Sequence, residues 1–224
     1  MDQVRYHELE STGSDRLRAY RDKREWIVDK CPVNEKHVDG GTQIGDASFY
    51  VKHNYRNQMI VWAVHDCLIH EELLDKFTDE GFTGFRTQPA KLRYSDGKIT
   101  TSYKVLIVTG WAGIVLPDSG MKIIEQCPNC HWKVYSPISN YESIVDWSQW
   151  TGDDFFIVYP LVGRILVTER VGEFLKKEKV KSYLLHDLKD EPDIIREQPT
   201  YANRLSTRFP KDLAIKYGRP LGIE

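Results

Sequence analysis

The segment Cys127-Pro128-Asn129-Cys130 constrains the fold of this chain more than any other feature. Two cysteines separated by two residues at a tight turn, with backbone amides directed at the sulfurs, make half of a zinc knuckle. The strand-like residues MKIIEQ precede the turn, and the β-prone residues HWKVY follow it. We therefore predict a zinc-knuckle-like loop between two strands.

Zinc takes four ligands in structural sites, so a second pair must come from elsewhere in the chain. Cys31, in the segment CPVNEKH, is one contributor, and His37 lies within reach on the same loop. The predicted site is therefore a structural Zn²⁺ bound by Cys31, His37, Cys127 and Cys130. Two alternatives stay open: an inert pair of reduced thiols, and a redox dithiol, which needs its cysteines at the start of a helix.

The size of the chain favours one domain, because 224 residues with 41% apolar composition can bury one sizeable core. Within it we expect an irregular N-terminal region (1–57), a core (58–186) and a C-terminal extension (187–224). The predicted fold class is α+β, with a mixed, mostly antiparallel sheet and two or three helices. Two features of the sequence support this class: β-prone runs bounded by turn residues, and two apolar stripes with helical spacing between them.

Particular elements can be predicted within the core. The run MIVWAV (59–64) predicts a strand. Asp66 is the expected N-cap or first-turn acid of a helix over about 67–80, whose apolar stripe contains Leu73 and Phe77. Asp96-Gly97 predicts a two-residue hairpin loop. Three further strands are predicted in the runs FFIVY, RILV and SYLL. We also predict a second helix after Thr168 and a short helix in PKDLAIKYG that ends at Gly218.

Charge and hydropathy restrict location and partners. A net charge of −2, from 33 acidic and 31 basic residues, implies no bulk attraction to nucleic acid or to an anionic membrane. The apolar runs are too short to span a bilayer, and MDQVRYHELE lacks the apolar stretch of a signal peptide. Four cysteines are too few for the disulfide framework of a small secreted domain. We expect a cytoplasmic protein with neither a membrane nor a nucleic acid as its partner.

No catalytic constellation is evident, so we expect a non-enzymatic protein. His65, His70 and His131 fit no metalloprotease spacing and no nucleophile-base order. The carboxylates near Trp147 and Trp150 resemble a glycosidase pair only in residue type, because such a pair requires a defined separation. A loop anchored in the core by two tryptophans, or a protein-binding surface, is the alternative.

Several blocks of the chain, over about residues 25 to 186, resemble the bacterial double-CXXCG motif family, a paralogous family of myxobacteria that includes swarming-inhibition immunity proteins. The resemblance lies in the Cys-Pro at Cys31 and in three longer segments: LLDKFTDEGFTGFRTQPAKLR, VTGWAGIVLPDSGMKIIEQCPNCHWKVYS and DWSQWTGDDFFIVYPLVGRILVTERVGEFLKKEKV. The blocks VTGWAG, CPNC and LVTERV together are more specific than one CxxC. Two positions depart from the family pattern: Asn34 replaces the second cysteine of the first motif, and His131 replaces a glycine.

The resemblance implies both a ligand set and a function. Carried over position by position, it assigns metal binding to Cys31, Cys127 and Cys130, whereas His37 comes from loop reach and His131 is a weaker substitute. It implies an immunity protein, or antitoxin, that neutralises a cognate bacterial toxin by direct binding. The alternative is a zinc-supported regulatory or nucleic-acid-binding module. The sequence does not indicate which face binds the partner.

Overall fold

The computed structural model describes residues 4–13, 18–22, 25–27, 31–35, 37, 42–44, 47–63, 66–190, 199–202, 204–207 and 209–224. The strands within this part are β1 (Tyr6–Glu10), β2 (Ala19–Arg21), β3 (Glu25–Ile27), β4 (Thr42–Ile44), β5 (Ala47–Val51), β6 (Ile60–Ala63), β7 (Asp66–His70), β8 (Phe85–Arg93), β9 (Ile99–Val108), β10 (Gly110–Ile114), β11 (Ile123–Gln126), β12 (Lys133–Tyr135), β13 (Phe155–Tyr159), β14 (Ile165–Thr168), β15 (Leu184–His186) and β16 (Thr200–Ala202). The helices are α1 (Glu71–Asp79), α2 (Glu169–Lys177) and α3 (Lys211–Leu213), and α3 continues into tighter and wider helical turns up to Leu221.

The strands form sheets of six, five, three and two strands. The orders are β2-β5-β8-β9-β7-β6, β10-β13-β14-β1-β15, β11-β12-β16 and β3-β4. Among the described strands, β5 with β8 and β10 with β13 pair in parallel, and the other pairs are antiparallel. The predicted α+β class is confirmed. No helix in the described part of the chain has the length and apolarity needed to cross a membrane.

Both predicted apolar stripes form helices that pack against each other. Helix α1 buries Leu73, Leu74 and Phe77, and α2 buries Val171, Phe174 and Leu175 together with a glycine. The Phe77 ring lies 5.8 Å from Phe174, between centroids, so the two helices share one aromatic cluster. Each helix follows an antiparallel strand pair, β6-β7 or β13-β14. We call these six elements the helical core.

The predicted start of α1 is wrong. Residues Asp66–His70 form β7 instead of the first helical turn, and β7 lies between β6 and β9. Four consecutive buried residues begin this segment, because both faces of the strand are covered, and such a run suits a buried strand as well as a helix. Asp66 is therefore no helix cap. Its carboxylate binds the Arg21 guanidinium of β2, and the His70 side chain caps the helix by accepting from the Glu72 amide at 3.4 Å.

The remaining elements follow the sequence with shifted boundaries. β8 and β9 form the predicted hairpin, but the Tyr94 amide bonds the Lys98 carbonyl at 2.8 Å, which leaves a three-residue loop with Gly97 at φ 82°. β15 begins at Leu184 instead of Ser182. The C-terminal helical segment runs past Gly218 and ends at Gly222, at φ 65°, after packing Tyr217 against Trp111.

Candidate metal centre

The turn between β11 and β12 presents the sulfurs of Cys127 and Cys130. The Cys127 amide donates to the Trp132 carbonyl at 2.8 Å, and the His131 amide donates to the Cys127 carbonyl at 3.0 Å. These two bonds close the turn around the Pro128-Asn129 pair. Strands flank both cysteines, so the helix N-terminus that a redox dithiol needs is not present at this turn.

The N-terminal loop containing residues 31–35 and 37 supplies the other two ligand candidates. The His37 amide donates to the Asn34 carbonyl at 3.0 Å, and the Cys31 amide donates to the His37 carbonyl at 3.4 Å. The loop therefore folds back on itself, so that the Cys31 thiol and the His37 ring lie side by side. Both residues are buried, although Val33 between them is exposed. We call this loop together with β11, β12 and β16 the metal module.

The four predicted side chains converge on one point. The Sγ atoms of Cys31 and Cys127 are 3.8 Å apart, and the Cys130 Sγ lies 3.7 Å from the His37 Nδ1. All four ligand atoms lie within 4.8 Å of one another. In a tetrahedral site with metal-sulfur bonds of about 2.3 Å, neighbouring ligand atoms stand roughly 3.8 Å apart. The cluster can therefore hold a metal ion.

Two neighbours of His37 fix the direction of its ring. The indole of Trp132 stacks on the imidazole at 4.2 Å, with 15° between the planes, and the Asn34 carboxamide lies 3.0 Å from Nε2. With Nε2 held by Asn34, Nδ1 faces the sulfurs. If Nδ1 binds a metal, Nε2 carries the proton, and the carboxamide oxygen of Asn34 must be the atom that accepts it. The sequence analysis did not identify Asn34 or Trp132 as supporting residues, although both flank the predicted ligands.

Backbone amides of the turn favour the thiolate form of Cys127. Hydrogen bonds from the amides of Cys130 and Asn129 lower the pKa of Cys127 to about 6. Burial raises the pKa of Cys130, whose sulfur is close to the sulfurs of Cys127 and Cys31. One anionic sulfur is thus favoured by the turn alone, and a cation at the centre of the cluster would favour the others.

The fourth cysteine and the remaining histidines lie apart from this cluster. Cys67 lies on β7 instead of the predicted helix, fully buried, and burial raises the pKa of its thiol. His70 caps α1. His131 is exposed at φ 59° and does not belong to the four-residue cluster. His65 lies outside the described residues.

The acidic residues near the tryptophans have local structural partners. Asp154 is buried and accepts from the Thr168 hydroxyl at 2.9 Å and from Arg170 at 3.1 Å. Asp146 accepts from Ser148 and Gln149 within its own turn. The rings of Trp147 and Trp150 pack around Phe156, which agrees with the interpretation of a loop anchored in the core.

Comparison with family models and curated proteins assigns no function to this cluster. No protein-family model matches the sequence, and no curated protein matches it significantly.

Proposed function

We propose that Cys31, His37, Cys127 and Cys130 bind one structural Zn²⁺. Three thiolates and one imidazole form a donor set that suits zinc, and four protein ligands complete its tetrahedral shell. A catalytic zinc keeps one position open for water or substrate, so a complete set of four favours a structural role. The ion would join the N-terminal loop to the turn between β11 and β12.

The surroundings of the cluster favour a protein partner. Four exposed apolar side chains lie on the metal module: Val33, Ile123, Ile124 and Tyr201. Every residue of β11 is exposed, although two of its four are isoleucines. Tyr201 stacks on Trp132, which in turn stacks on His37, so one of these exposed side chains contacts the residues that hold the metal cluster. Exposed apolar and aromatic side chains of this kind are typical of protein-binding surfaces.

We propose that the protein acts as a non-enzymatic immunity protein in the cytoplasm and neutralises a cognate toxin by binding it through the metal module. The observation that carries the binding role is the set of four exposed apolar side chains on the elements that hold and flank the four ligand residues. The toxin as partner rests on the resemblance of the CPNC, VTGWAG and LVTERV blocks to the double-CXXCG motif family. A rigid scaffold with a variable surface is sufficient for such a role.

Elemental analysis tests the metal. Protein purified without added zinc should carry about one equivalent of Zn²⁺, and Cys127→Ser and Cys130→Ser should each lose most of it. Cys67→Ala is the matched control, because this cysteine is buried in the helical core and away from the cluster, and it should keep the full equivalent. Well under one equivalent in the unmodified protein would rule out the zinc centre.

Co-expression tests the partner. Cells that produce the toxin-like product of an adjacent gene should survive when this chain is present, and the two proteins should co-purify. Ile124→Lys should abolish both effects, whereas Ile99→Lys, an equally exposed isoleucine on β9, should change neither. Absence of protection, or equal protection by both variants, would contradict binding through the metal module. A steep loss of affinity for nucleic acid with salt would instead support the nucleic-acid-binding alternative.

A further inference from the structure

A second concave site lies beside the metal module, between β12 and the C-terminal segment. It encloses about 380 Å³, which is within the range of small-molecule sites. Its wall is built from residues far apart in sequence: His131, Lys133, Tyr159, Arg204, Arg219, Gly222, Ile223 and Glu224. Three of these side chains are cationic, and one is a carboxylate. No sequence motif connects them.

Lys133 is the most informative residue of this pocket. It lies on β12, the central strand of the three-stranded sheet, with 9% of its surface exposed. Among the described residues, no hydrogen bond or ion pair to its ammonium is present. Burial lowers the pKa of Lys133, which means that the fold disfavours the charged form. An ammonium that lines an open pocket without a partner among the described residues can receive an anion from solution.

His131 closes the cysteine turn and also lines the pocket. Its φ of 59° is left-handed, a conformation that glycine adopts without cost and other residues at roughly 1 kcal/mol or more. The histidine side chain lines the same pocket as Lys133. A neutral imidazole can donate one hydrogen bond, so His131 would gain a contact to an anion that glycine would not supply.

The arginines complete a cationic wall. Arg219 and Arg204 line the same pocket as Lys133, and the Arg219 Nε already binds the Glu224 carboxylate at 2.7 Å. That contact is at the rim, because both side chains are largely exposed. This ion pair shows that Arg219 can bind an anionic oxygen. Lys133 is much less exposed than Arg219. Guanidinium and ammonium groups together are the usual ligands of phosphate oxygens.

We propose that this pocket binds the phosphate group of a small phosphorylated molecule. Lys133 would bind the phosphate at the base of the pocket, Arg219 and Arg204 would bind it from the C-terminal side, and His131 would donate from the turn. The space left beside a phosphate can hold a short organic group, for which Tyr159 and Ile223 provide apolar walls. This site is distinct from the metal cluster and does not depend on the identity of the protein partner.

Calorimetric titration tests the proposal on the protein as purified, at neutral pH and constant ionic strength. Inorganic phosphate and glycerol 3-phosphate are the probes, and succinate is the carboxylate comparison. Both phosphate probes should bind with one site per chain, and glycerol 3-phosphate should bind at least as tightly as inorganic phosphate. Lys133→Met should weaken binding by about tenfold or more, which is the usual consequence of losing one charge-assisted hydrogen bond.

The control is Lys122→Met, which removes an exposed lysine next to β11 and should leave the affinity unchanged. Metal content is measured on the same samples, so failure of the zinc centre and failure of the phosphate site are read separately. Lys133→Met should keep its metal and should melt at about the same temperature, because the substitution removes no hydrogen bond or ion pair among the described residues. The proposal is overturned if neither phosphate probe binds, if Lys133→Met binds as well as the unmodified protein, or if succinate binds more tightly than phosphate.

Discussion

The helical core and the metal module are stabilised by different means. In the helical core, Phe77 is fully buried, with Phe82 and Phe155 both 5.5 Å from its ring between centroids. In the metal module, β11 has no buried residue. The four ligand residues there are three cysteines and one histidine. Apolar burial thus holds the first region. In the second, β12 also buries Val134 and Tyr135, whereas the N-terminal loop and the cysteine turn meet through four side chains that a single ion can bind.

This difference separates two kinds of sensitivity. A truncated apolar side chain in the helical core loses contacts on every side, and its effect extends to the whole fold. Loss of a ligand in the metal module should release the N-terminal loop and β11, which buries no residue, so the rest of the chain can stay folded. Variants that act on one region at a time test this difference in sensitivity.

The largest effect should come from Phe77→Ala. It removes the ring at the centre of the aromatic cluster and should lower the free energy of unfolding by about 3–5 kcal/mol, as measured by denaturant titration. Tyr55→Ala, at an exposed tyrosine, should change it by less than about 0.5 kcal/mol. A loss of under about 1.5 kcal/mol for Phe77→Ala would mean that the helical core does not determine the stability.

Asp66→Ala should rank second, at about 3 kcal/mol, because it leaves the Arg21 guanidinium buried without its main carboxylate partner. Asp96→Ala breaks a more exposed pair with Arg56 and should cost less than about 1 kcal/mol. Equal losses in the two variants would show that the buried Asp66–Arg21 pair contributes no more to the free energy of unfolding than the exposed Asp96–Arg56 pair. Denaturant titration of both variants gives the comparison.

Removal of the metal by a chelator should act locally. The amides of β11 and β12 should exchange with deuterium at least about tenfold faster, equivalent to about 1.4 kcal/mol, because the segment then opens by itself. The amides of α1 and α2 should keep their protection. Equal acceleration in both regions would instead show that the ion stabilises the entire fold, and unchanged exchange in β11 would show that no ion holds the module.

The smallest effect should come from Lys76→Ala. This lysine joins the two helices through an ion pair with Glu178, but half of its side chain is exposed. Such pairs contribute within about 0.5 kcal/mol, since water and salt screen them. A double-mutant cycle with Glu178→Gln measures the coupling directly, and a coupling above about 1 kcal/mol would mean that the helices are joined by charge as well as by the phenylalanines.

The apolar stripes of both helices could be predicted from the sequence because a single period explains them. Leu73 and Phe77 fall on one face of α1 wherever the helix begins. The start itself could not be predicted, because Ile69 lies four positions before Leu73, as in a helical stripe, whereas the run Cys67–Ile69 suits a strand buried on both faces equally well. Only the pairing of β7 with β6 and β9, which is a tertiary interaction, decides between them.

The candidate site shows the same limit. The ligand types were evident from CPNC and CPVNEKH, since cysteine and histidine have few other reasons to recur at turns. Their proximity was not evident, because Cys31 and Cys127 are separated by 96 positions. The phosphate pocket could not be predicted at all, since Lys133, Arg204 and Arg219 resemble ordinary surface cations until the fold places them on one wall.

The position of β1 affects the order in which the chain can fold during synthesis. β1 is formed by Tyr6–Glu10, yet it lies between β14 and β15, and Glu8 pairs with Arg164, which is 156 residues further along the chain. A ribosome adds residues from the N-terminus, so β1 can pair with β14 only after Ile165–Thr168 have left the exit tunnel, and with β15 only after Leu184–His186 have followed. The five-stranded sheet therefore closes late, and a stalled chain that ends before β14 would leave β1 without either neighbour.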